Sequence, residues 1–248
     1  KTLGKAIWKP FAVSVILLIA VILSGIHNLL ALIGFYVAIF TACVTLYEYA
    51  RGVAARHRRA GENYALALWR LASRNRRRYG GYIIHLGVIL VAIGVVGTHF
   101  YQTQTQGTLT QGQSLQISGY TLTYQSLAVF DTADGRNVAR AVVEVSKDGK
   151  VIAELHPRRD YYYESQQPMT IPGVRSSLAD DVYVVLVDWE PISSQGATFK
   201  VYINPLVNWL WAGGLIFILG ALVAAWPDAD REPKEIQEPR RASLPTKA

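Results

Sequence analysis

The chain has 248 residues, 51% of them hydrophobic and 17% charged, and a net charge of +7. That is too apolar for an ordinary soluble domain and places the chain in a membrane class. A single cysteine, Cys43, sits inside an apolar run, which excludes an internal disulfide, a CxxC thiol pair and a CxxCH site.

The charge is unevenly spread. Between Arg51 and Arg78, nine arginines accompany one acid, Glu62. A basic patch of this kind can bind nucleic acid, but this one lies between two apolar runs. The cation excess of cytoplasmic loops explains it better. The only methionine is Met169, so no initiator is present, and Lys1 is expected to begin a fragment, a processed chain or a trimmed version of one.

Residues 11–47 contain no Asp, Glu, Lys or Arg. The run is too long for one span and is interrupted by Ser24-Gly25-Ile26-His27-Asn28, which predicts a hairpin within residues 1–50, with helices at 8–24 and 29–48. Lys1, Lys5 and Lys9 precede the first helix and Arg51, Arg56, Arg58 and Arg59 follow the second, so both ends are expected in the cytoplasm. His27 then lies at the outer surface as a solvated loop residue. Residues 51–78 form a basic cytoplasmic segment, in which 64–71 has the pattern of an amphipathic helix lying along the membrane.

The third span, residues 79–101, follows Asn75-Arg76-Arg77-Arg78 and carries His85 about two turns inside its apolar run. An ionisable side chain at that depth is costly and therefore reads as functional. At 100° per residue Gly80, Gly87, Gly94 and Thr98 form one stripe, suited to the close approach of another helix. His85 points to the opposite side, between Gly81 and Ala92. The space left there suits a flat cofactor or a polar side chain from a neighbouring helix. His99, about 21 Å further along, lies at the outer boundary, where a histidine is inexpensive.

Residues 102–203 change character. Glutamines alternate with Thr, Gly and Ser, and strands are expected at 120–130, 138–146, 151–155, 181–189 and 198–203. Lys147-Asp148-Gly149-Lys150 carries a hairpin turn. The run Val184-Val185-Leu186-Val187 reads as a strand buried on both faces. About six short strands predict a small antiparallel barrel or sandwich. With the third helix running outward, this β-domain is extracytoplasmic. Its eight Lys or Arg against eleven Asp or Glu agree with that side. The last span, 204–226, is expected to start at Asn204-Pro205, with Trp209 and Trp211 at the outer interface, Trp226 at the inner one, and Gly213 and Gly220 available for packing. The tail, 227–248, mixes charge and proline and is expected to be disordered in the cytoplasm. The fold class is thus a membrane α-helical protein of four transmembrane helices with an inserted extracytoplasmic all-β domain.

No phosphate-binding loop, HExxH or GxSxG is present. Asp180-Asp181 and Asp188 with Glu190 read as loop and edge charge, and His156 as a structural hydrogen-bonding residue. A neutral imidazole in a membrane helix is, however, a good axial ligand for haem iron.

Three stretches together resemble the C-terminal part of the CcmF family of cytochrome c-type biogenesis proteins. They are Asn75-Arg76-Arg77-Arg78-Tyr79-Gly80-Gly81-Tyr82-Ile83-Ile84-His85-Leu86-Gly87; Leu155-His156-Pro157-Arg158-Arg159-Asp160-Tyr161-Tyr162 followed by Gln167-Pro168-Met169-Thr170; and Tyr202-Ile203-Asn204-Pro205-Leu206-Val207-Asn208-Trp209-Leu210-Trp211-Ala212-Gly213-Gly214. The resemblance covers most of residues 70–227. It implies part of a haem lyase in the bacterial inner membrane that attaches haem to apocytochrome c on the periplasmic side. It further implies that His85 is one of two transmembrane ligands of a resident haem b, with quinol as reductant. The second histidine, the tryptophan-rich external segment and its flanking histidines are absent from this sequence, and the resemblance places them upstream. Implied partners are apocytochrome c, a haem chaperone and thiol-reducing subunits. The departure after Met169-Thr170, where Ile171-Pro172 replaces an acidic residue common in the family, leaves that loop without an implied role.

A non-enzymatic alternative is a membrane assembly module whose β-domain docks apocytochrome or maturation partners. A stand-alone electron-transfer protein fits least, since His85 has no second intramembrane histidine to pair with. The motifs do not separate this family from its closely related nitrite-reductase maturation branch.

Overall fold

The computed structural model describes residues 2–189 and 196–226. The 227–248 tail and Glu190 lie outside the described residues. The elements are α1 (Thr2–Leu23), α2 (Leu29–Ala60), α3 (Tyr64–Arg74), α4 (Arg76–Tyr101), ten strands, and α5 (Val207–Ala225). Helices α2, α4 and α5 are long and apolar enough to cross a bilayer, and α1 contributes a shorter apolar stretch, Ile7–Leu23.

The α1–α2 turn lies where the Ser24–Asn28 interruption predicts it. Gly25 adopts φ +94°, and the Asn28 side chain caps α2 by accepting from the Ala31 N–H at 3.1 Å. The second helix does not stop near residue 48. It continues through the arginines to Ala60 and ends at Gly61, in the left-handed conformation. Nothing in 49–60 breaks a helix, and the chain turns only where Gly61 allows it.

That corner is held by the lone acid of the basic segment. Glu62 accepts from Arg56 Nε at 2.9 Å and from Arg70 Nη1 on α3, while His57 stacks on Tyr64 and its Nδ1 donates to the Glu62 carbonyl at 2.6 Å. The hydrogen bond from Arg56, then that from Arg70, holds the Glu62 carboxyl below its ordinary value of 4.5. A depressed carboxylate stabilises the fold above its unfolded value, and that contribution is lost as pH falls through the folded one. Protection factors across residues 56–70, with the intrinsic pH dependence of exchange divided out, are therefore expected to fall below pH 4.5 in the wild type and to hold in a Glu62→Gln variant. Equal acid sensitivity in both would remove Glu62 from this role.

The β-domain is a sandwich of two curled antiparallel sheets. One has the order β1 (Thr103–Thr110), β10 (Gly196–Pro205), β9 (Asp180–Trp189), β8 (Gly173–Ser176). The other runs β2 (Ser114–Ile117), β3 (Tyr120–Thr132), β4 (Arg136–Lys147), β6 (Arg158–Tyr162), β7 (Gln167–Ile171), with β5 (Lys150–Leu155) also paired to β4. Among the described residues, ten strands replace the six or so expected. The Gln/Thr run 103–110 is a full strand, zipped to β10 from Thr103↔Ile203 to Thr110↔Gly196. The Asp148-Gly149 turn has both residues at positive φ, which the two-residue hairpin requires, and it pairs Lys147 with Lys150.

The core is formed by Tyr120, Leu122, Tyr124, Val143, Val145, Val182, Val184, Leu186, Phe199 and Val201. Burial of each of the larger side chains contributes about 1.5–3 kcal/mol. Strand β9 is not buried on both faces. Val182, Val184 and Leu186 are buried whereas Tyr183, Val185 and Val187 are half-exposed, because only one face meets the opposite sheet.

The sandwich is fixed to the helices at one junction. Asn204 and Pro205 belong to β10, and α5 begins only at Val207 after Leu206 turns through φ +60°. A strand hydrogen-bonded to β9 as far as Pro205↔Asp180 pre-empts the helix start expected there. Asn208 Nδ2 donates to the Ser177 carbonyl at 2.6 Å and to Asp181 Oδ1 at 2.7 Å, and Trp209 Nε1 donates to the Leu178 carbonyl at 2.9 Å. Thr98 on α4 donates to the Pro205 carbonyl at 3.1 Å. Asp180 accepts from the Tyr120 hydroxyl and Ser177. The acids at 180 and 181 therefore serve this junction and do not form an acid–base pair.

Candidate functional site

The expected glycine stripe is the seam between α4 and α5. A Cβ added at Gly80 would lie 2.6 Å from Ala224 N, at Gly87 2.6 Å from Phe217 N and 2.7 Å from the Gly213 carbonyl, and at Gly94 2.7 Å from Leu210 N. On α5 a Cβ at Gly213 would meet the Gly87 carbonyl at 2.6 Å, and one at Gly220 would meet Ile84 N at 2.6 Å. The partner numbers fall along α5 as they rise along α4, so the two helices are antiparallel with their backbones in contact. Helix α2 covers a further strip of α4: Gly34 lies against Val96, and Tyr49 donates to the Tyr79 carbonyl at 3.0 Å while packing on Tyr82.

These two neighbours fix where His85 points. With α5 on the glycine side and α2 on another, His85 lies on the strip that neither covers. That strip also exposes Val88, Val95 and His99. One turn earlier, Gly81 borders the same space, and a Cβ placed there would touch nothing within 4 Å. The open space beside His85 is thus present in the folded chain.

The imidazole is oriented. His85 Nδ1 lies 2.7 Å from the Gly81 carbonyl oxygen. A carbonyl can only accept, so Nδ1 carries the proton, and in the neutral ring Nε2 holds the lone pair. A ring anchored through Nδ1–H to a backbone carbonyl, with Nε2 presented outward, is the usual state of a metal-ligating histidine. The open space and the free nitrogen fit a haem whose iron would be held by His85 Nε2, and among the described residues no group of three or more His, Cys, Asp or Glu is placed to hold a metal ion.

The other histidines are placed elsewhere. His27 is exposed in the α1–α2 turn. His99 is exposed at the far end of the strip, edge-on to Phe100 with ring centroids 4.8 Å apart. His156 faces Glu154 across 3.4 Å on the sandwich. His57, unremarked in sequence, helps close the α2–α3 corner. Also unremarked is the cluster of Arg136, Arg158 and the fully buried Asp160 on β4 and β6. Its only sequence signal is an aspartate directly after two arginines.

Comparison with known proteins agrees with the fold. Residues 100–205 match the family model described as the CcmF C-terminal beta-sandwich. The chain is 33% identical over 158 residues to the cytochrome c-type biogenesis protein CcmF of Pseudomonas aeruginosa, covering 62% of this chain and 23% of that protein. It is 31% identical over 151 residues to the probable cytochrome c-type biogenesis protein NrfE of Escherichia coli, covering 60% and 27%. It thus spans about a quarter of the length of the curated relatives it matches. Among solved structures, one titled cytochrome c heme lyase CcmF superposes with a TM-score of 0.65 at 21% identity, covering 81% of this chain and 31% of that one. That likeness shows the shared fold.

Proposed function

The chain is similar in sequence and in fold to the C-terminal portion of CcmF, and from that premise we propose that it works as the C-terminal part of a cytochrome c maturation haem lyase. In this reading His85 supplies one axial ligand to a b-type haem and the second comes from outside this chain. The observation that carries the reading is His85 itself, with Nδ1–H tied to Gly81 and Nε2 turned toward open space on a membrane helix.

A haem held there by His85 would supply reversible one-electron transfer, with quinol as the proposed source of electrons. The residues of this chain do the positioning. The Gly81 carbonyl sets the tautomer, the α4–α5 seam fixes the height and rotation of α4, and the junction at Thr98, Asn208 and Trp209 holds the sandwich over the outer end. The arginines of α2, α3 and the start of α4 favour the cytoplasmic side, and Trp209, Trp211 and exposed Leu178 at the opposite end favour the outer interface. The sandwich is accordingly periplasmic, on the side where apocytochrome c, a haem chaperone and thiol-reducing partners would meet it.

Gly81→Leu tests the reading without touching the ligand. A Cβ at Gly81 meets nothing within 4 Å, and leucine is the better helix former by up to about 1 kcal/mol, so the melting temperature should hold. A leucine one turn from His85 fills the space a flat group needs, so haem content of the full-length protein is expected to fall several-fold. Unchanged haem content in a folded Gly81→Leu protein would place the haem elsewhere.

A further inference from the structure

Two of the segments that carry the sequence resemblance become neighbouring strands, β6 and β7. Their outward face has features that the helix site does not use. Ala139 and Ala141 of β4 point into the core, so Val138 and Arg140 lie on the opposite face, where Val138 is buried under its neighbours and Arg140 is exposed. Arg140 stands directly opposite Arg158 on β6. Like charges in opposed positions destabilise a sheet. Arg140 is exposed and lies over the Phe130 ring at 5.6 Å, and it has no carboxylate partner among the described residues.

One row along, Phe130, Val138, Asp160 and Met169 pair across four strands. Phe130 is 39% and Met169 52% exposed, whereas Asp160 is fully buried. Asp160 Oδ2 accepts from Arg136 Nη1 at 2.9 Å, and Oδ1 lies 3.4 Å from Arg158 Nε without forming a hydrogen bond. Arg136 Nε, Arg158 Nε and Asp160 Oδ1 are three of the five buried side-chain atoms without a hydrogen-bond partner among the described residues. The buried Asp160 thus steadies Arg136 and Arg158 from within the sheet, and Asp134 pairs with Arg136 at 2.7 Å, so three arginines face two carboxylates and Arg140 carries the outward excess. This is a local exception, since residues 102–203 as a whole carry more acids than bases.

We propose that the outward face of β3, β4, β6 and β7, around Arg140, Arg158, Phe130 and Met169, docks an acidic segment of a protein partner. Its carboxylates pair with the two guanidinium groups, which are built for that geometry. Its apolar side chains lie on Phe130 and Met169. Charge complementarity selects an acidic partner. The extended sheet face and its arginine, aromatic and methionine side chains select a protein segment, because small-molecule sites are enclosed. Pro168 on the edge strand β7 opposes strand addition there, so recognition falls to the side-chain face. The inference rests on the sandwich serving as a docking module and is independent of His85.

The test uses the intact protein in lipid nanodiscs and two fluorescent peptides, one alternating Glu and Leu, the other Gln and Leu. The Glu peptide should bind saturably, weaken with salt, and exceed the Gln peptide by about tenfold or more. Arg140→Gln, which leaves Asp160 and its partners intact, should weaken the Glu peptide by about tenfold, with an unchanged or higher melting temperature and an unaltered haem spectrum. Equal binding of the two peptides, or wild-type binding by Arg140→Gln, overturns the proposal. Haemin that displaces the peptide and loses its own binding in Arg140→Gln also overturns it, by making this a propionate site. His85→Gly leaves the peptide titration unmoved, so failure of the haem reading is read separately.

Discussion

Gly87→Leu is expected to separate α4 from α5. The Cβ alone would lie 2.6 Å from Phe217 N and 2.7 Å from the Gly213 carbonyl, and both obstacles are backbone, which cannot rotate aside. Overpacking a close-fitted interface costs about 1–3 kcal/mol where side chains can adjust, and here the helices themselves must move, so the upper end or beyond is expected. The result is a large fall in melting temperature in detergent and loss of the Thr98–Pro205 anchor. Gly214→Leu is the control. Gly214 neighbours the seam on α5 but has nothing within 4 Å of its Cβ position, so it should be neutral or mildly stabilising. Similar melting of the two variants would show that the seam is not close-packed.

His85→Gly is expected to abolish low-spin ligation of haem at the membrane site while the chain stays folded. His85 packs against neither α5 nor α2, and its one hydrogen bond is to a carbonyl in its own helix. Its loss therefore removes little packing, and the glycine costs only about 1 kcal/mol of helix propensity. An axial ligand, by contrast, determines whether the iron is held low-spin at all. The variant should keep its melting behaviour to within a few degrees and lose the low-spin b-type bands. A merely packed histidine would show the opposite pattern.

Much of this was legible in the sequence because it follows from local rules. The glycines of α4 fall every seventh residue, which brings them to one helix face, and they do meet α5. The Asp148-Gly149 pair specifies its own turn. The interruption at residues 24–28 ends one helix and caps the next. Other features depend on distant partners. Residues 103–110 are mostly Thr and Gln with a single large apolar side chain, Leu109, and only pairing with β10 makes a strand of them. Asn204-Pro205 has the look of a helix start until β9 claims it. Helix α2 runs on to Ala60 because arginine is as good a helix former as leucine, so a change from apolar to basic does not mark an end.

The site was legible as a residue but not as a geometry. The cost of a histidine at membrane depth singles out His85, and helical spacing assigns its side of α4. The Nδ1–Gly81 hydrogen bond, which decides the tautomer, follows only from the rotamer. The β4–β6 arginine cluster was hidden for another reason: Arg136 and Asp160 are far apart in the chain and meet only through cross-strand register.

The most direct measurement is the optical spectrum of the full-length His85→Gly protein, reduced, before and after addition of imidazole. If His85 is the ligand, the low-spin bands are missing without imidazole and return with it, because the free base enters the space left beside Gly81. Low-spin bands of full intensity in the variant without imidazole would contradict ligation by His85.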